Sequence, residues 1–271
     1  MKNQNLLIIS CLALAITGGS AHASTIILTD NFNESPSNED AANFNNNLAS
    51  TQGGTLSTVT YNVQGGNFTA QHSNGGTHLL VANDDGGIHG YGNVSLNNDF
   101  ATQANAANQA LQVSFNIGTV FGYAGDPTRW IQFNLGNSQN LDVGNATVGA
   151  AVLFRANGGT QALSGGAGIG SASTWSADDL VTITLSGTGG VGSAFNGNGS
   201  VASISIGANN LGTFTLAQQT NAYVNFSAFN YGNDQFGGGS IDNLSVAVVP
   251  EPSAAILGGL GMLALLRRRR A

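Results

Sequence analysis

The chain of 271 residues contains one lysine, one cysteine and four prolines, and only 8% of its residues are charged. Each shortage excludes something. Lys2 is the single lysine, and four of the six arginines form the run Arg267 to Arg270. Between Ser24 and Pro250 there are 13 acids against Arg129 and Arg155, a net charge of −11. Such a body cannot neutralise a phosphate backbone, so nucleic acid is excluded as a partner. Anionic lipid surfaces repel it as well. Cys11 lies near the N-terminus, so the rest of the chain has no disulfide, no thiolate metal site and no cysteine nucleophile. Helical periodicity is nearly absent, with Glu39 to Leu48 the one candidate. The abundant residues are glycine, 39 in all, and hydrophobic residues at 41%, which place the body among folded proteins.

The two ends differ from the body. Lys2, the apolar run Leu6 to Ile16 and Ala21-His22-Ala23 form a charged start, a short hydrophobic core and an A-x-A site. That order predicts a secretory signal peptide over residues 1–23, cut by signal peptidase after Ala23. At the other end Pro250-Glu251-Pro252 precedes the apolar run Ala254 to Leu266 and the four arginines. Thirteen residues make a helix of about 20 Å, short of a hydrocarbon core of about 30 Å. Arginine stems extend that reach by snorkelling, and their charge holds the end cytoplasmic.

This tail, residues 249–271, resembles the PEP-CTERM sorting signal of Gram-negative bacteria. The carrying residues are Pro250, Glu251 and Pro252, the transmembrane segment 254–266, and Arg267, Arg268, Arg269 and Arg270. The resemblance implies export through the inner membrane and transient anchoring there. It also implies recognition by an exosortase and delivery to the cell surface or extracellular matrix of a bacterium that makes exopolysaccharide.

Residues 24–248 read as one β domain. Leu111, Val113, Phe115 and Ile117 alternate with polar residues, as do Ile131, Phe133 and Leu135. Val181, Ile183 and Leu185 do the same, followed by Ala202, Ile204 and Ile206. Period-two alternation marks strands with one buried face. Clusters of Gly, Asn and Asp between them supply the positive φ of tight turns. The expectation is an all-β fold, a two-sheet antiparallel β-sandwich of jelly-roll type, with a signal helix before it and a transmembrane helix after it. Ile26 to Phe32 and Gly239 to Val246 resemble the opening and closing strands of concanavalin/laminin-G-like jelly rolls.

Catalytic chemistry is hard to place. The body has two glutamates, Glu34 and Glu39, both near its start, and no Gly-x-Ser-x-Gly elbow. His72, His78 and His89 match no metal-ligand spacing. Calcium prefers oxygen ligands, and Asp242 is the best single candidate. Strict alternation with Leu244, Val246 and Val248 puts it on the buried face, where Asp30 of the opening strand would meet it; otherwise it caps a turn. For sugar binding, an aromatic beside amides is required. Trp130, Gln132 and Asn134 share one face by register, and Tyr223 shows a similar arrangement. That face either meets a ligand or packs under a loop or the other sheet. The leading expectation is therefore a non-catalytic, exosortase-sorted surface or matrix protein associated with exopolysaccharide and biofilm. The alternative is a carbohydrate-binding module with structural calcium. A divergent polysaccharide-active enzyme ranks third.

Overall fold

Where apolar and polar residues alternate, the chain forms strands. The computed structural model describes residues 24–33, 48–56, 58–64, 68–72, 79–83, 90–121, 130–139, 148–164, 167–168, 173–230 and 237–250. The signal segment, the tail from Glu251, the histidines His78 and His89, and most of the predicted helix lie outside them. In chain order the first elements are β1 (Thr25–Asp30), α1 (Leu48–Thr51), β2 (Gln52–Gly53), β3 (Tyr61–Gln64), β4 (Phe68–His72), β5 (Leu79–Asn83) and β6 (Gly90–Leu96). Next come α2 (Ala101–Ala107), β7 (Ala110–Phe121), β8 (Trp130–Gly136), β9 (Val148–Arg155), β10 (Gly159–Ser164), β11 (Ala167–Gly168) and β12 (Ser173–Thr174). The last are β13 (Leu180–Gly187), β14 (Gly199–Ile206), β15 (Asn209–Gln219), β16 (Tyr223–Asn230) and β17 (Gly237–Val249).

They build two antiparallel sheets. The first has nine strands, ordered β15-β14-β13-β7-β17-β1-β2, with β5 beside β17 and β4 beside β5. The second has eight, ordered β11-β10-β9-β8-β16-β6-β3, with β12 on β10. The expected all-β, two-sheet antiparallel sandwich is therefore present. No described helix is long and apolar enough to cross a membrane.

The inward residues of both sheets are those the alternation selects. Phe115 of β7 stands between the sheets, with ring centroids 5.0 Å from Phe133, 5.4 Å from Phe226 and 6.3 Å from Phe154. All four rings are at most 1% exposed. The contacts to Phe226 and Phe154 are edge-on, the geometry that the ring quadrupole favours. Gln219, at the end of β15, crosses to the second sheet and donates from Nε2 to the Leu135 carbonyl at 3.1 Å. It passes over Gly149, where a Cβ would collide with its amide.

One helix escapes a periodicity argument. α2 is seven residues of Ala, Thr, Gln and Asn, too short for an apolar stripe to declare itself. It is held by its ends: Asp99 Oδ1 accepts from Ala101 N at 3.1 Å, and Asn108 closes it at φ 51°. Only Ala101 and Ala104 are buried from it.

Phe115→Ala should destabilise the sandwich by about 3–5 kcal/mol, because three neighbouring rings lose one contact surface and cannot all collapse into the gap. Chemical denaturation measures this; a loss under about 1 kcal/mol would mean that Phe115 does not bridge the sheets.

Candidate functional site

The pairing of β8 with β9 and β16 decides what lies on the outer face of the second sheet. Gln132 is opposite Leu153 and Ser227, and Asn134 is opposite Ala151 and Asn225. On the far side of β16, Asn225 meets Ser95 and Ser227 meets Asn93. Trp130, Gln132 and Asn134 thus share a face, as their register predicts. They are not open to solvent: Trp130 is 6% exposed, Gln132 1% and Asn134 fully buried. Trp130 packs in a small apolar cluster with Ala151, Leu153 and Leu163. Of the two readings for this face, burial prevails, and Trp130 is not an exposed stacking platform.

The buried amides bond to one another and to a covering segment. Ser227 Oγ donates to Asn93 Oδ1 at 3.2 Å, and Asn134 Nδ2 donates to Ser227 Oγ at 3.4 Å. Gln132 Nε2 donates to Asn134 Oδ1. After β8 the chain turns back over this ladder. Asn93 Nδ2 donates to the Gln139 carbonyl at 2.8 Å, and Asn225 Nδ2 to the Ser138 carbonyl at 3.4 Å. The turn is anchored at its start, where Asn137 Oδ1 accepts from the backbone N–H groups of Thr220 and Asn221 at 3.0 and 3.1 Å. Gln132 Oε1 is left as a buried acceptor without a partner, a costly arrangement in a packed interior.

The rim of this ladder remains accessible. Tyr223 begins β16 on the same face, opposite Gly136, and is half-buried. Gln139, half-buried, donates from Nε2 to Oδ1 of the exposed Asn97 at 2.8 Å. The rim thus offers an aromatic ring and two side-chain amides on one side of the sheet, and the buried ladder holds the covering segment from which Gln139 projects. Asn97 and Gln139 escape a sequence reading because no motif or spacing joins them; only the reversal after β8 does.

The calcium pair separates. Asp30 is 1% exposed and fully engaged. Its Oδ1 accepts from Phe32 N at 2.9 Å, and its Oδ2 from Gln52 Nε2 at 3.0 Å and Tyr61 Oη at 2.6 Å. Asp242 does not point inward. A β-bulge interrupts β17: Asp242 is opposite Asn116, whereas Ser245 is opposite Ser114, so one extra residue intervenes on β17. Asn243 absorbs it at φ 51°, a left-handed conformation that asparagine tolerates. The bulge reverses the parity, so both Ile241 and Leu244 are buried while Asp242 turns outward. There its carboxylate accepts from the backbone and side-chain nitrogens of Asn243 at 2.6 and 3.0 Å. Among the described residues no three His, Cys, Asp or Glu side chains gather to hold a metal.

No family model matches this chain, and no curated protein matches it. Solved structures of similar shape include lectin UEA-II complexed with galactose, at 12% identity and a TM-score of 0.44, covering 70% of this chain and 92% of that one. Another is the carbohydrate recognition domain of Emp47p, at 10% identity and a TM-score of 0.47, covering 86% and 100%. A sialidase appears at 12% identity and a TM-score of 0.43, with 69% of this chain matching 16% of that one. These likenesses are too distant to transfer a ligand or an activity.

Asp30 and Tyr61 give a pH signature. Burial, and then the Asp30 carboxylate beside it, hold the Tyr61 hydroxyl well above the usual tyrosine range. Its stabilisation is complete below the unfolded value of about 10 and is lost as pH rises beyond it, because the unfolded chain then releases a proton that the folded one keeps. Tyr61→Phe should cost about 1–3 kcal/mol at neutral pH and flatten this alkaline fall in melting temperature. An unchanged alkaline limb would show that Tyr61 does not carry it.

Proposed function

We propose that this chain is an exported, non-catalytic surface or matrix protein whose β-sandwich binds carbohydrate. Two independent features support the reading. The A-x-A segment and the Pro-Glu-Pro tail are addresses, one for export and one for exosortase sorting. The observation that carries the sugar-binding half is the rim formed by Tyr223, Gln139 and Asn97. Sugars present apolar C–H faces and many hydroxyls, so they are recognised by an aromatic ring beside amides that both donate and accept. The three side chains supply that combination without charge. The reading leaves out the Asp30–Asp242 calcium site, because those carboxylates lie on opposite faces of the first sheet. Exopolysaccharide is the natural ligand class for a protein delivered to the same surface.

Two measurements test the halves separately. In a host with an exosortase, mass spectrometry of the surface protein should find the residues beyond the Pro-Glu-Pro motif removed, and Glu251→Ala should leave the arginine tail attached. A tail retained in both would overturn the sorting reading. On a glycan array the exported chain should bind polysaccharide, and Tyr223→Ala should weaken binding about tenfold, the loss of roughly 1.4 kcal/mol of ring contact. Trp130→Ala should instead lower stability. Binding lost in Trp130→Ala at unchanged melting temperature, or kept in Tyr223→Ala, would move the site away from the rim.

A further inference from the structure

The first sheet ends on one side in β15, whose single strand neighbour among the described residues is β14. The outer side of an edge strand presents a row of backbone N–H and C=O groups ready to pair with another strand. Proteins blunt such edges by keeping them short or by placing lysine, proline or inward charges on them. The other described edges are short: β2, β11 and β12 have two residues each, β3 four and β4 five. β15 has eleven, and no charged residue or proline occurs between Asp179 and Asp234. Along it Asn209, Asn210, Thr213, Thr215, Ala217 and Gln218 are exposed.

The chemistry of β15 reads nearly the same in both directions from Phe214. Thr213 mirrors Thr215, Gly212 mirrors Leu216, Leu211 mirrors Ala217, and the amides Asn210 and Asn209 mirror Gln218 and Gln219. We propose that two copies of this chain associate edge to edge, β15 against β15 and antiparallel, about a two-fold axis at Phe214. Two-fold pairing sets each residue opposite its mirror position, so this strand meets its own chemistry: threonine against threonine, small or apolar against apolar, amide against amide. The inward side chains fit as well. Phe214 is opposite Ala202 and Gly212 opposite Ile204, both buried. Phe214 packs against the core yet stays half-buried, so at the axis the two rings supply the apolar centre that a protein interface needs. Bulges on either side of Gly212–Thr215 confine regular pairing to the middle of the strand, and an isologous contact uses up the edge, so association closes at two. Charge permits it. Asp179 lies against Gly207 at the turn into β15, and the two Asn209 ends of an antiparallel pair stand about 33 Å apart, several Debye lengths at physiological salt. The pairing is independent of the sugar-binding reading.

Light scattering on the full chain in detergent, at micromolar concentration, should give the protein mass of two chains. Thr213→Asp/Thr215→Asp and Thr213→Lys/Thr215→Lys each set like charges opposite one another, and each should raise the dissociation constant about tenfold. Both positions are exposed, so the melting temperature should hold; Asn210 and Gln218 take the same charges if either variant fails to fold. Mixing the Asp and Lys variants should restore association as a one-to-one heterodimer, which a merely structural role for these threonines would not do. A wild-type monomer would overturn the pairing and leave the edge to a different strand. A dimer that survives both variants would place the contact elsewhere, as in association through the apolar tail, and overturn it too. Variants that stay apart when mixed would do the same, because Thr213 would then not face Thr215 of the second copy. Assemblies larger than two would overturn the closed axis.

Discussion

The sandwich depends on the contact between Phe115 on the first sheet and Phe133, Phe154 and Phe226 on the second. Without cysteines in the body, no covalent link joins the sheets. Burial of apolar area must then hold them, at about 25 cal/mol per Å² removed from water. Four rings, meeting in one tilted and three edge-on contacts, concentrate that area in one place. The strands on either side need only alternate correctly to follow. This contact also fixes which face of each sheet is left to do something else.

The two outer faces take different solutions. The second sheet covers its amides with the segment after β8, and the chain's own carbonyls at Ser138 and Gln139 serve as acceptors. The first sheet turns Ser114, Thr182 and Ser245 outward, where they are half-buried. Both choices suit a chain that is short of cations. A buried Asp30 is stabilised by three neutral donors rather than by a salt bridge, and Asp242 is turned out of the core by one inserted residue.

Much of the fold is legible from local pattern. The strands at 111–117, 131–135, 181–185 and 202–206 bury the residues their alternation names, because a strand's side chains must point to opposite faces. Trp130, Gln132 and Asn134 share a face for the same reason. What fails is the step from face to environment. Trp130 has the right register and the wrong surroundings, since its neighbours Ala151, Leu153 and Leu163 come from β9 and β10. Asp242 has the wrong face, since Asn243 adds one residue to a count of two. α2 is missed because seven residues give no period to read.

Composition and order alone specify the acidic body, the lack of disulfides and the all-β class. Each of these is additive along the chain or repeats at a short interval. The location of an accessible aromatic, the facing of Asp242 and the meeting of Asn97 with Gln139 are set by folding. They depend on which residue lies opposite another across a sheet, and on what the chain lays over it afterwards. A single bulge or a three-residue reversal changes both while leaving the hydrophobic pattern intact.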